Sequence, residues 1–579
     1  MMRSRRRISL LLVCGVLAVS VVTGFGTTPA GSAPGRSGIR GPFFSEAVAF
    51  DVSRPLRDLA RTRAPRRVRP VEEIRPERGP VAVDRGHSRD RALQADVGIL
   101  SIPGPLANFE GLSNQDNFNV FGFRVNPPDP NGDVGPNHYV EMINLVFAVY
   151  NKAGTRLLGP VDTGTLWAGF SVPDCTDPSG DPVVLYDQTE DRWILSQFTT
   201  RGFDDPTLPF YNCVAISQTS DPTGTYYRYA FITQPDTDDG GYFFPDYPKY
   251  GVWSNSYIMT TRDFGTVDGY GISVYALEKN KMVNGEPFAR AVQFFLDSAV
   301  VPLNLIGDGL LPPDIDGNRR PTPNDAPAPI VGTQDDGASY GAAFDALNIW
   351  ELTVRWRSTP TASLTFVAQL PVAAFDSIFP CAPTSRDCLP QPGVADPTRY
   401  LDILSYRQRP TWRLAYRNFG MYEALVTNQS VEALPGVAGV RWYEIRRTGG
   451  TYSLYQQGTY APVDGIHRWM GSIAMDRRGN IALGYSVVNG TSVYPGIRYT
   501  GRLAGDPLGQ MTLGEGIIIN GSGVQTTLNS RWGDYTSMSV DPDGCTFWYA
   551  NEYYTAAGQA SSPAGWQTRI ASFRLPGCD

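Results

Sequence analysis

One pattern returns along this 579-residue chain and constrains its fold more than any other feature. A polar lead-in carrying Asp or Arg precedes a short run of β-forming residues, a tight polar turn and an aromatic-rich run. It occurs at Asp133-Val-Gly-Pro-Asn-His-Tyr-Val, at Asp181-Pro-Val-Val-Leu-Tyr with Arg192-Trp-Ile-Leu, and at Asp246-Tyr-Pro-Lys-Tyr-Gly-Val-Trp with Ser256-Tyr-Ile-Met. A weaker copy runs from Ala328-Pro-Ile-Val-Gly to Leu347-Asn-Ile-Trp, and the next begins at Arg399-Tyr-Leu-Asp-Ile-Leu-Ser. Arg468-Trp-Met-Gly-Ser-Ile and Arg531-Trp-Gly-Asp-Tyr-Thr complete the set of seven. Spacings of about 45 to 80 residues suit repeated β-units, and helical periodicity is nearly absent. The expected fold is all-β, a seven-bladed β-propeller of four-stranded antiparallel blades, with the first strand of each blade lining the axis. Phe118–Val125 is expected to lend a strand to the last blade and close the ring. A pair of β-sandwiches is the rival, and it offers no reason for the repeated lead-in.

Composition narrows the class. With 60 Gly, 47 Pro, 12% aromatic and only 18% charged residues, the chain is neither a coiled coil nor disordered throughout. Residues 1–95 carry 18 Arg against 8 acids, leaving 32 basic and 49 acidic residues in the remainder. An acidic body lacks the clustered Lys and Arg that phosphate contacts need, so no nucleic-acid partner is expected. Arg3, Arg5, Arg6 and Arg7, the apolar run Ile8–Val22 and the small residues Ala30–Ala33 make residues 1–33 an expected signal peptide. That run is shorter than the roughly 20 residues of a membrane span. Residues 34–95, rich in Arg and Pro, read as a flexible linker or propeptide, and residues 96–579 as the propeller domain. The mature protein is expected to be secreted, monomeric and free of membrane spans.

Six cysteines remain beyond the signal, and an even number in an exported chain favours disulfides. Local closure predicts Cys175–Cys213, Cys381–Cys388 and Cys545–Cys578.

Two stretches carry a resemblance. Ser539-Val-Asp-Pro-Asp-Gly-Cys-Thr-Phe-Trp resembles the Asp-box turn of sialidase-type propellers, with one extra residue in its loop. Residues from about 120 to 578 resemble a group of secreted bacterial propeller proteins. The matching strings are Pro128-Asp-Pro-Asn-Gly-Asp-Val-Gly-Pro-Asn-His-Tyr-Val, Asp246-Tyr-Pro-Lys-Tyr-Gly-Val-Trp, His467-Arg-Trp-Met-Gly-Ser-Ile-Ala-Met-Asp and Arg531-Trp-Gly-Asp-Tyr-Thr-Ser-Met. The resemblance implies a fold and no established activity, because an Asp box is a structural turn.

If the lead-ins converge at one face, they gather distant residues. Asp181, Asp246, Asp402, Asp534 and His467 are the catalytic candidates, with Glu552 as an outsider. Paired carboxylates would serve a hydrolase, and a His beside an Arg would serve a lyase acting on a uronate. Arg399, Arg468 and Arg531 could hold a carboxylate or sulfate, and Trp469 and Trp532 could stack on a sugar ring. The alternative is that these Arg and Asp residues tie neighbouring blades together. Asp129, Asn131 and Asp133 alternate as calcium ligands would, although Val134 stands where an EF-hand loop needs Gly. No HExxH or Walker loop is present. The expected partner is an extracellular glycan, with cleavage undecided; the rival reading is a non-catalytic surface or adhesion module that contacts proteins.

Overall fold

A computed structural model describes residues 38–62 and 89–578, except 234, 236–240, 266–268, 338–339, 383–385 and 404–407. The expected signal peptide lies outside the described residues.

The chain is all-β, arranged in seven sheets whose neighbouring strands are almost all antiparallel. In chain order the first strands are Asn131–Val134, Val183–Asp187, Phe244–Val252, Ala328–Gln334, Thr411–Asn418, His467–Met475 and Ser537–Val540. Sheets are numbered 1 to 7 by these strands. Asn131–Val134 lies against Val183–Asp187, which lies against Phe244–Val252. The succession continues through Pro313–Ile315, Thr411–Asn418, His467–Met475 and Ser537–Val540, which lies back against Asn131–Val134. Pro313–Ile315 takes the fourth place by pairing in parallel with Thr411–Asn418, while Leu311 bridges to Val331 of sheet 4.

Interior strands are buried on both faces because each sheet packs against its neighbours. Ser256–Phe264 and Tyr270–Glu278 are buried at every residue and therefore show no alternating polar face. Thr361–Pro371, the outer strand of sheet 4, does alternate in exposure. Large aromatics fill the wedges between sheets, with Trp193, Trp253, Trp442, Trp469, Trp532 and Trp566 all fully buried.

Strand number is not uniform. Sheets 1, 6 and 7 have four strands, sheets 2 and 3 five, sheet 4 three and sheet 5 six. Much of the variation comes from the segment read as a linker. Ile39–Glu46 is the outer strand of sheet 3, Ala49–Val52 that of sheet 2, and Leu93–Gln94 that of sheet 5. Between them, Leu56 and Leu59 of a short helix are buried. The tether expectation is thus corrected for these residues: Phe50 packs on Tyr227 and Tyr229, and Asp51 forms a two-bonded pair with buried Arg228 at 2.7 and 2.6 Å. High Arg content masked short segments that carry enough apolar and paired surface to dock.

Two further expectations are corrected. The outer strand of sheet 7 is Ala107–Ser113, paired with Trp566–Arg574, and not Phe118–Val125. Asn114–Phe121 is a helix, started by a capping box between Ser113 and Asp116 and ended by Gly122 at φ 80°. The first full strand of sheet 5 is Thr411–Asn418; Pro397–Arg399 is a 3-10 turn opened by Pro and capped by Asp396. All three expected disulfides are present. Among the described residues no helix is long and apolar enough to cross a membrane.

Candidate functional site

The starts of the first strands are strained. Asp129 (φ 47°), Asp181 (φ 39°), Tyr247 (φ 54°), Met470 (φ 47°) and Ser530 (φ 56°) adopt the left-handed region, unusual for residues other than glycine. Register shifts fall at the same places, between Asp246 and Lys249, Thr411 and Ala415, and Trp469 and Ser472. Such bulges re-aim side chains, and strained backbone of this kind persists only where its surroundings hold it.

These turns bring four carboxyl groups together. Asp129 Oδ1 accepts from the Asp534 backbone N–H at 2.7 Å, and its Oδ2 accepts from Asn144 Nδ2 at 2.6 Å. The other end of the Asn144 amide accepts from the Asp181 N–H at 3.0 Å. Tyr535 donates its hydroxyl to Asp181 Oδ2 at 3.1 Å, and Tyr247 donates to the Asp534 carbonyl at 3.0 Å. Asp246 is a charge neighbour of Asp181, lies 3.9 Å from Arg262, and keeps 32% of its side chain exposed. Arg531 joins Asp534 at 2.5 Å to the fully buried Asp402 at 3.8 Å, which also meets Arg386 at 3.3 Å. Glu552 accepts from the Gly533 N–H at 2.6 Å; a Cβ at Gly533 would sit on that same carboxylate oxygen, so only glycine fits there.

Crowding and burial work in one direction on the acids. Burial, then the charge of Asp534, pushes Asp129 up to about 7. Burial, then Asp129, Asp246 and Asp534, pushes Asp181 well above the usual carboxylate range. Glu552 is pushed well up, chiefly by burial. The face therefore holds carboxyl groups that keep their protons to higher pH than free carboxylates do, with Asp181 half-buried at its edge. Beside them a cavity of about 10 Å³, room for one water, is lined by Tyr247, Lys249, Thr260, Thr261 and Arg262, among others.

Other candidates lie elsewhere. His467 is buried, accepts at Nδ1 from the Ala438 N–H at 3.3 Å, and packs edge-on to Phe379; burial lowers it to about 4. It is a neutral strut. Arg468 is fully enclosed by Asp464 and Glu515, with bonds of 2.7 to 3.0 Å to each carboxylate. Trp469 and Trp532 pack on each other at 5.1 Å within an apolar cluster, so neither offers an open indole face to a sugar. Arg399, on its 3-10 turn, meets Asp396 at 3.3 Å and the Thr526 carbonyl. A shared position in the repeat does not bring these residues to one face, because the Trp after Arg468 and the Trp after Arg531 both turn into the apolar cluster.

The expected calcium trio does not converge either. Asn131 Oδ1 accepts from the Val184 N–H at 3.0 Å, and Asp133 accepts from Tyr186 and Val134 N–H groups, both at 2.7 Å. Both side chains stitch sheet 1 to sheet 2. A different trio, Asp335, Asp336 and Asp345, is spaced closely enough for a cation. Asp335 and Asp345 there accept from the N–H groups of Ser377, Gly337, Asp336 and Phe375.

Sequence reasoning missed Lys249, Tyr247, Tyr535 and Asn144. A signal was present in the repeat: Asp246-Tyr247 and Asp534-Tyr535 are the same dipeptide in sheets 3 and 7, and both rings flank Lys249.

No family model and no curated protein sequence matches the chain. Among solved structures, a protein of unknown function from Dyadobacter fermentans aligns at TM-score 0.31 and 9% identity, covering 82% of this chain and all of that one. The Hadza microbial sialidase Hz136 aligns at TM-score 0.29 and 11% identity, covering 76% of this chain and 74% of that one. A GH93 α-L-arabinofuranosidase of Fusarium graminearum aligns at TM-score 0.25 and 10% identity, covering 68% and 93%. Superposition this loose transfers no site.

Proposed function

We propose that this chain is a secreted, monomeric, seven-bladed propeller whose converging first strands form a face that binds and hydrolyses an extracellular glycan. Asp181 is the general acid and the half-open Asp246 is the carboxylate that attacks or activates water. Asp129 and Asp534 hold the proton on Asp181 by their proximity, and Arg531 fixes Asp534. The supporting observation is a half-buried carboxyl group, Asp181, pushed well up by burial and three neighbouring carboxyl groups, one of which, Asp246, keeps 32% of its side chain exposed. A glycosidase works with a proton donor and a second carboxyl group beside it. The Asp-box-like turn at Ser539–Trp548 belongs to the fold and has no part in the chemistry.

The test is release of reducing ends from a panel of neutral and anionic polysaccharides by the full chain and by Asp181→Asn. Hydrolysis by the parent, reduced by at least about 100-fold in the variant, is the expected result. Polymer retained but never cleaved would overturn the catalytic half, and neither release nor retention would overturn the glycan.

A second reading is a non-catalytic module contacting proteins. It draws on the water-sized cavity at the acid cluster and on an open groove of about 1140 Å³ at the outer edge of sheet 5, between Arg89–Leu93 and Ala433–Pro435.

A further inference from the structure

Lys249 has no task in hydrolysis by Asp181 and Asp246, yet the fold builds a particular place for it. In an uninterrupted strand, residues 246 and 249 point to opposite faces. The bulge between them, with Tyr247 at φ 54°, makes both Asp246 and Lys249 charge neighbours of Asp181. Lys249 is 2% exposed and its amine has no hydrogen-bond partner among the described residues. It lies 3.0 Å from the ring centroid of Tyr247 and 3.3 Å from that of Tyr535. Tyr535 also donates its hydroxyl to Asp181 Oδ2, so the ring that cages the amine is bonded to the acid. The charged groups facing Lys249 are Asp181, Asp129, Asp534 and Arg409, with Arg262 across the small cavity.

A buried ammonium is ordinarily hydrogen-bonded or ion-paired. An amine held by two π-faces, with a set of carboxyl groups as its charge neighbours, exists in balance with them. When Asp181 loses its proton, its charge favours a proton on Lys249; when Asp181 is protonated, burial favours the free amine. Burial disfavours the charged form of both groups, and the attraction between Lys249 and Asp181 favours it, so the charge of one depends on the other.

We propose that Lys249 is a positioning residue that governs the proton on Asp181, through an amine caged by Tyr247 and Tyr535. The proposal rests on Asp181 being the acid, but it is tested on the free protein without any glycan. Carbodiimide-driven coupling of glycine ethyl ester consumes protonated carboxyls, and peptide mass spectrometry reads its extent at Asp181. The solvent-exposed Asp205 in the same digest is the reference. The full chain, Lys249→Met and Lys249→Arg are labelled from pH 4 to 9. Removing the charge in Lys249→Met should move the labelling midpoint of Asp181 up by at least about one pH unit, a tenfold change in proton affinity. The permanent charge of Lys249→Arg should move it down. Midpoints unchanged in the folded variants, judged by circular dichroism, overturn the proposal. Should Lys249→Met fail to fold, the direction of the shift in Lys249→Arg decides alone. Midpoints that shift while no polysaccharide is cleaved would sink the hydrolase and leave the Lys249–Asp181 coupling standing.

Discussion

At the scale of single residues, the arginines of the repeat have separate fates. Arg468 has no solvent exposure and satisfies two carboxylates, Asp464 and Glu515, within sheet 6 and its flanking loops. Arg531 is only 8% exposed and couples Asp534 of the acid cluster to Asp402. Sequence position alone could not separate these cases, because both are Arg-Trp pairs at a strand start and the deciding partners lie elsewhere in the chain. Removing one member of a buried ionic set leaves charge without compensation, at a cost of about 3–5 kcal/mol. Arg468→Ala is accordingly expected to lose stability of that order in denaturant unfolding, and any variant that still folds should retain polysaccharides like the parent. Loss of glycan retention with unchanged stability would instead return Arg468 to the binding residues.

At the scale of elements, the repeat was legible wherever a strand start carries its own polar signature, as at Asp181, Asp246, Arg468 and Arg531. It was illegible at the rim. The outer strands Ile39–Glu46 and Ala49–Val52 lie in an Arg-rich stretch whose average composition hides their short β-patterns, and their partners are more than 170 residues away. Likewise, Ser113 and Asp116 formed a cap that outweighed the aromatic residues following them. These outer strands cover edges that would otherwise expose backbone donors and acceptors. Deleting residues 38–62 should therefore lower the melting temperature and produce concentration-dependent aggregates, measured by light scattering. A monodisperse deletion variant with parental melting would show that the edges of sheets 2 and 3 are protected without it. The three disulfides were legible for a simpler reason: each joins cysteines no more than 38 positions apart.

For the whole molecule, the buried acids set the response to pH. Burial pushes Asp129, Asp133, Glu141, Asp263 and Asp345 each up to about 7, against about 4 in an unfolded chain. Between those values the folded state binds more protons than the unfolded state, so stability is fully present below about pH 4 and falls as pH rises towards 7. His467, lowered to about 4, works the other way between pH 4 and 6.5, and His138 and Lys249, which burial also lowers, oppose the acids too, but the five acids outnumber them. Melting temperature should consequently be higher at pH 5 than at pH 8, and a rise over that interval would contradict the burial of these acids.

The pairing of Ala107–Ser113 with Trp566–Arg574 also orders events in time. A chain made from its N-terminus delivers the rim strand of sheet 7 long before that sheet's three remaining strands. Until Trp566–Arg574 is made, Ala107–Ser113 lacks its pairing partner, and until Asp534 is made, Asp129 lacks its own. The acid cluster thus comes into being only after Asp534 has been made, so a chain that stops short of sheet 7 carries no assembled site.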